Sequence, residues 1–466
     1  MLKKQILATL FALGAVSAVG AQSNTASSTC TLSPQEFDAW FASGTASKGG
    51  IVNFANSVGF PLQNTTCDFY KWAHQMFLWV TSPINGSILI DSPVFFDVNV
   101  NDQGQATYIP NTPGVQNNRF ALRGSKQENI QPGGQAGGGD TLLSLNGSLV
   151  YFAMHANDVY AWFNTAVTNG VLPATTPFPT TQAELTSIVN YANQNNVKLG
   201  DANALTMEMK TAWIDAATVK NVADYVTISA AVPNYVKSSD TLWQIGTPAT
   251  VVKTLALVGV HVVGPVQGHP EMVWATFEHG DNAPNNEYYL TDGSSKQQLV
   301  PYNSKGTWSF MTNGGAQAGA LVSQMVVGPT TTPSCQTGQI CATAGNTIQA
   351  NNVYRAMPWG NQPTAASADN NTQIFTLTNT ISGFLGILGD VRAKYFEIGA
   401  VWTQNGSIPS SGSDTAKQIG SKLLANSTME TYHQTDTNGC FGCHYGASST
   451  DTSHLFSISN NPLVPK

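Results

Sequence analysis

The sequence predicts an α+β fold: a β-rich antiparallel body, a sandwich or barrel-like sheet, with flanking helices and a short helical C-terminal segment. Three observations carry this. Strand-like runs (205–214, 225–231, 254–263 and 271–279) fill the middle of the chain. Gly and Asn turns separate them, which favours antiparallel pairing. Helical periodicity is concentrated on either side of that region.

The first residues read as a secretory signal. Lys3 and Lys4 form a positive start, Ile6 to Val19 is apolar, and Val19-Gly20-Ala21 is a small-residue cleavage site. Residues 1–21 are therefore expected to be removed. The alternative, a retained anchor, suffers from an apolar run short for a spanning helix. The cleavage point carries no cysteine for a lipid anchor, and no later stretch has the length and apolarity of an integral membrane span. Periplasmic placement follows, with the outer surface as an option.

Ser33-Pro34-Gln35-Glu36 reads as a helix start, with Ser33 as cap and Glu36 three residues on. Phe69, Trp72, Ala73, Met76, Phe77 and Val80 recur at helical spacing over 67–80, and Pro83 stops that helix. Ile88-Leu89-Ile90 and Val94-Phe95-Phe96 read as short strands. Residues 131–140 carry Pro-Gly-Gly and Gly-Gly-Gly, a loop composition. A strand is expected over 148–154, a helix start at 158–163, and a helix over 181–195. Trp308 to Met311 adds a possible strand. Residues 371–388 and 390–399 read as two helices or one broken one. Residues 404–414 are Gly-Ser rich and read as a linker, and 416–432 as an amphipathic helix.

Only 10% of the 466 residues are charged, against about a quarter in typical domains. Gly, Ser, Thr, Asn and Gln supply the polar surface instead. The net charge of -7 gives no reason to expect nucleic acid.

Asn438-Gly439-Cys440-Phe441-Gly442-Cys443-His444 contains Cys-x-x-Cys-His, the attachment pattern of c-type haem. Cys440 and Cys443 are spaced to form thioethers to one haem, and His444 to bind the iron from the proximal side. Two other readings exist. A zinc site needs a second ligand pair, and none follows at the usual spacing. A thioredoxin-like thiol pair needs a β-α-β context, which the preceding sequence lacks. Four further cysteines remain. Cys335 and Cys341 flank a five-residue loop and pair most simply with each other, and Cys30 with Cys67.

The motif divides the chain into a body over 22–410 and a haem c segment over 411–466. So short a tail cannot enclose a haem alone, so the body or a partner must cover it. The distal iron ligand decides between electron transfer and small-ligand chemistry. Met429 and His454 are the nearest candidates, with His433 a weaker one; a ligand from the body, or an open site, completes the options.

Charges inside the strands form a second constellation. Glu208 and Lys210 share one strand face, His261 lies in an apolar strand, and Glu278 shares a face with Trp274 and Thr276. Converging, Glu208, Lys210, His261 and Glu278 would suit acid–base catalysis or metal binding. The alternative is a buried ion-pair network that fixes strand register.

Four runs carry a family resemblance: Glu208-Met209-Lys210-Thr211-Ala212-Trp213; Gly259-Val260-His261-Val262-Val263; Trp274 to His279 with Asn282-Ala283-Pro284; and Leu424 to Glu430 ahead of the haem pair. Together they resemble a family of large exported bacterial proteins known as cytochrome c family proteins, which carry a single C-terminal haem motif. The stretch with Trp72 and Phe77 is similar to that family's N-terminal helix. The resemblance spans roughly residues 67–460, with gaps. It implies a periplasmic haem c protein and names no substrate. The expected function is electron transfer to a redox protein partner through one covalent haem c. The alternatives are a haem-dependent oxidoreductase or peroxidase with a small-molecule pocket in the body, and a haem-based sensor.

Overall fold

The computed structural model describes residues 29–100, 106–111, 141–415, 417–435, 439–458 and 462–464. The expected signal over 1–21 and the expected loop over 131–140 lie outside the described residues.

The chain opens with α1 (Pro34–Trp40) and α2 (Thr66–Val80). Ser33 and Glu36 close a capping box on α1, and Thr65 and Asp68 one on α2. A small hairpin, β1 (Pro83–Ile84) and β2 (Ser87–Ile88), leads into β3 (Phe95–Val100), β4 (Ala106–Pro110) and β5 (Tyr151–Asn157). Two helices follow, α3 (Asp158–Thr168), capped by Asn157, and α4 (Gln182–Gln194), capped by Thr181 with Glu184.

The strand-rich middle forms as expected: β6 (Glu208–Asp215), β7 (Thr227–Lys237), β8 (Leu242–Val266) and β9 (His269–His279). Then come β10 (Tyr288–Thr291), β11 (Gln297–Val300), β12 (Met325–Val327) and β13 (Gln339–Ala342). The chain ends with α5 (Ala368–Leu388), β14 (Tyr395–Thr403), β15 (Gln418–Gly420) and α6 (His454–Ile458).

One 11-stranded sheet organises the body, its main path running β15-β14-β9-β8-β6-β5-β3-β4. Every pairing in it is antiparallel. Its two faces bury different partners. Phe277 faces α2, stacked on Phe77 at 4.5 Å, and Trp402 stacks on Phe69 at 3.9 Å. Ile374, Leu377, Ile381 and Leu385 of α5 join that core. Trp274 and Val263 lie on the other face, in a core with Tyr160 and Phe163 of α3, Phe178, Phe441 and Leu455. The segment with Cys440, Phe441 and His444 therefore packs on the face opposite α2. The disulfides Cys30–Cys67 and Cys335–Cys341 are both present, with Cα separations of 5.5 and 5.9 Å. Among the described residues no helix is long and apolar enough to cross a membrane.

Four local expectations fail. Of Ile88-Leu89-Ile90, only Ile88 is in a strand; Leu89 and Ile90 open a 3-10 turn, Leu89–Asp91. Of the helix expected over 416–432, the described residues 417–432 form none. Gln418, Ile419 and Gly420 pair with Thr403, Trp402 and Val401, and the chain then turns along the sheet. The side chains of Asn426, Thr428 and Glu430 bond neighbouring backbone N–H groups or one another, competing with helical hydrogen bonds. Residues 390–399 make one short 3-10 turn (Val391–Lys394) and then a strand, because β14 can pair along β9. Trp308 to Met311 joins no ladder; Ser309 and Phe310 donate instead to Asp281 and Asn282 carbonyls.

Candidate functional site

Register places the site. Lys210 of β6 pairs directly with His261 of β8, and His261 with Thr276 of β9. One row away run Glu208, Val263 and Trp274; on the other side run Ala212, Gly259 and Glu278. Side chains alternate along a strand, so Glu208, Lys210, His261, Trp274, Thr276 and Glu278 all project from one face. The sequence-predicted residues thus share a face, and it is the face that receives the C-terminal segment.

That segment lies directly against the strands. Gly399 of β14 leaves space for Ser421, and Gly259 of β8 for Thr428 and Asn426; a Cβ on Gly259 would stand 2.6 Å from Thr428 Oγ1. Asn426 donates from Nδ2 to Thr276 Oγ1 at 2.8 Å and to the Phe277 carbonyl at 3.1 Å. Gly439, at φ +54°, turns the chain into the motif, a conformation L side chains rarely adopt.

Cys440 opens a single 3-10 turn, Cys440–Gly442, and Cys443 follows it. Neither cysteine is in a disulfide, while the other four all are. Burial, reinforced by Glu430 and Cys443, pushes the Cys440 thiol well above its ordinary range.

His444 is buried, and its Nδ1–H donates to the Thr452 carbonyl at 2.8 Å. This bond selects the tautomer with a free lone pair on Nε2. That Nε2 is buried and has no hydrogen-bond partner among the described residues. Burial, with His454, His261 and Lys210 adding to it, holds the imidazole neutral, well below its ordinary range. A neutral imidazole with its second nitrogen fixed on a carbonyl is the arrangement of a metal-ligating histidine. Trp274 packs on the ring at 4.1 Å.

The candidate distal ligands have different surroundings. Met429 is fully buried in a separate apolar cluster with Phe152, Val258, Phe310 and Val353. His454 stacks on His444, centroids 4.2 Å apart and planes 24° apart, and bonds the Cys443 carbonyl at 3.2 Å. The Nε2 lone pair lies in the plane of the His444 ring, so a ring stacked on its face is a neighbour of that histidine and does not stand opposite its lone pair. His433 donates its backbone N–H to the Glu430 carbonyl.

The strand charges have distinct partners. Ser453 Oγ donates to Glu208 and lies 2.7 Å from Tyr160 Oη. Burial raises the Glu208 carboxyl to about 7, the Ser453 bond offsetting part of the rise. His261 Nε2 donates to Glu430 Oε1 at 3.1 Å, and Asn426 N to Glu430 Oε2 at 2.8 Å. Burial acts to raise the Glu430 carboxyl, but His261, Lys210 and the Asn426 N–H outweigh it and hold the group below its usual value. Glu278 is bound by Arg355 Nε at 2.8 Å and accepts from Ser427 N at 2.6 Å. It anchors the incoming segment to β9, a structural task. Among the described residues no three or more His, Cys, Asp or Glu side chains are grouped as ligands of a bare metal ion.

Glu430, Asn426, Ser453, Tyr160, Thr452 and Arg355 escape sequence reasoning as functional positions. Arg355 and Glu430 carried one usable signal: in a chain so poor in charge, each ionisable residue away from an obvious surface run is conspicuous. The hydroxyl and carbonyl partners carried none. No family model matches the chain, and no curated protein or solved structure matches it.

Proposed function

We propose that the chain is an exported mono-haem c-type cytochrome of the periplasm, transferring electrons to a redox protein partner. The observation that carries this is His444, whose Nδ1–H is held by Thr452 and whose buried Nε2 has no hydrogen-bond partner among the described residues, beside two cysteines that are in no disulfide while the other four are paired. Cys440 and Cys443 would hold haem c by adding each S–H across a vinyl group, a step without a leaving group. His444 would be the proximal iron ligand.

Haem c, when bound, supplies a one-electron couple. The chain supplies the rest. Thr452 fixes the tautomer and orientation of His444 and raises its basicity. Trp274, Phe441 and Leu455 give the motif an apolar wall, which excludes water. Asn426 and Glu278 pin the segment ahead of the motif, so the two thiols and the imidazole are presented on a rigid sheet.

A second reading, a haem-dependent oxidoreductase, draws on the ionisable row Lys210–His261–Glu430 behind the motif. Such groups can also move protons. One preparation separates the two. The full chain, exported by a host that assembles c-type haem, is expected to keep haem through a denaturing gel. Replacing both Cys440 and Cys443 by Ala should abolish that stain; retained stain sinks the proposal. A low-spin ferrous spectrum unchanged by carbon monoxide supports electron transfer, and a carbon monoxide adduct supports the oxidoreductase.

A further inference from the structure

Lys210 and Glu430 are buried and His261 half-buried in the wall behind the motif, yet none is assigned as a ligand. Lys210 and His261 are direct cross-strand partners. Glu430 arrives from the C-terminal segment, 169 residues from His261, to accept its Nε2–H. Its other oxygen accepts from Asn426 N, so the carboxylate is satisfied as an acceptor and stays ionised. The Lys210 ammonium stands 5.5 Å from the centre of the Phe152 ring. Geometry puts both charges beside the motif: the Lys210–His261–Thr276 row, which carries Glu430 on His261, lies next to the Glu208–Val263–Trp274 row on one face, and Trp274 packs on the His444 ring at 4.1 Å. Two opposite charges are therefore held in place within electrostatic reach of the attachment residues, in a wall where water screens little.

We infer that Glu430 and Lys210 tune the reduction potential of the site in opposite directions, with His261 positioning Glu430. This rests on the haem reading above. Reduction adds one negative charge at the iron. A fixed anion nearby opposes that change and a fixed cation favours it. Of the other ionisable groups on this face, Glu278 and Arg355 form an ion pair with each other, and burial raises the Glu208 carboxyl to about 7. The three residues act through the field and the hydrogen bond, so they are positioning residues.

The test is the midpoint potential of the full-length holoprotein, followed optically, for wild type, E430Q, K210M and K210R. E430Q is expected to raise the reduced-to-oxidised ratio at fixed potential about tenfold, equivalent to about 59 mV for one electron. K210M is expected to lower it by a similar factor, and K210R to leave it within about twofold. Potentials unchanged in both E430Q and K210M, or shifted the same way, overturn the inference. So does loss of covalent haem in both with K210R unaffected, which would assign the pair to building the site. A wild-type chain without covalent haem removes the underlying reading instead, and the gel shows this before any potential is measured.

Discussion

Ser453 stands at the junction of three elements: its hydroxyl donates to Glu208 of β6, lies 2.7 Å from Tyr160 Oη of α3, and accepts from Phe456 N of α6 at 3.3 Å. All but Phe456 are buried. Ser453→Ala leaves a buried carboxyl and phenol short of a partner, at a cost of about 1–3 kcal/mol. Urea unfolding followed by tryptophan fluorescence measures it; a loss well under about 0.5 kcal/mol would deny Ser453 this role. Asp158 supplies a pH-dependent case at the same scale. Burial raises its carboxyl from 3.8 to about 7, Asp201 adding to the rise and the Val159 N–H opposing it. One of its carboxyl oxygens has no hydrogen-bond partner among the described residues. Between those values the folded chain keeps a proton that the unfolded chain has lost. This contribution to stability is full below about pH 4, falls as pH rises towards 7, and is flat above. Asp158→Asn removes it. The variant should gain on wild type by up to about 1.4 kcal/mol per pH unit across that window. Urea midpoints for both proteins at about pH 4 and pH 8 read the difference; a constant difference refutes the burial argument. Neither Ser453 nor Asp158 carries a sequence signal for its role, because burial and partners come from other elements.

At the scale of elements, the segment from 421 to 435 matters most, and it was the part least legible from the residues. Ile419, Leu423, Leu424 and Met429 have the spacing of an amphipathic helix. The segment instead has polar positions that bond elsewhere: Asn426 and Ser427 bond to β9, and Thr428 bonds to the Asn426 side chain. Tertiary hydrogen bonds override a periodicity that only a shared apolar face would reward. The contact depends on Gly259. Gly259→Ala places a methyl against Thr428 and Asn426, which stand 2.6 and 2.9 Å from the new Cβ. Overpacking of this kind costs about 1–3 kcal/mol. The variant is expected to lose stability and, on the proposed haem c reading, to carry less covalent haem. Thermal unfolding and haem per protein check the two effects, and an unchanged pair of values would mean the segment is not seated on β8. The helices behaved differently. Capping boxes at Ser33, Thr65 and Thr181 are local, so their helices begin where local chemistry says they should.

Across the whole molecule, the sheet is a partition: aromatic helix packing on one face and the motif, with its buried charges, on the other. The two disulfides brace the outer parts of this plan. Cys30–Cys67 spans 37 residues and ties the N-terminal arm to α2; Cys335–Cys341 spans 6. Loop-closure entropy assigns the longer bridge about 4 kcal/mol and the shorter about 2. Replacing both cysteines of a pair by Ser should show that order in urea unfolding, and a larger loss from the shorter bridge would contradict it. The described helices and the paired cysteines are compatible with an exported protein.

What the sequence determined alone is the chemistry that contiguous residues can carry. Cys440, Cys443 and His444 lie within five positions, so their spacing is readable without a fold. Strand alternation likewise put Glu208 with Lys210, and Trp274 with Glu278, on common faces. Only the tertiary structure decided that these two constellations are one site. Glu208 meets Ser453 across 245 residues and His261 meets Glu430 across 169, and both meetings depend on antiparallel register. A shift of one residue in β8 would turn His261 to the opposite face, a choice made by the packing of the whole sheet and by no local run of residues.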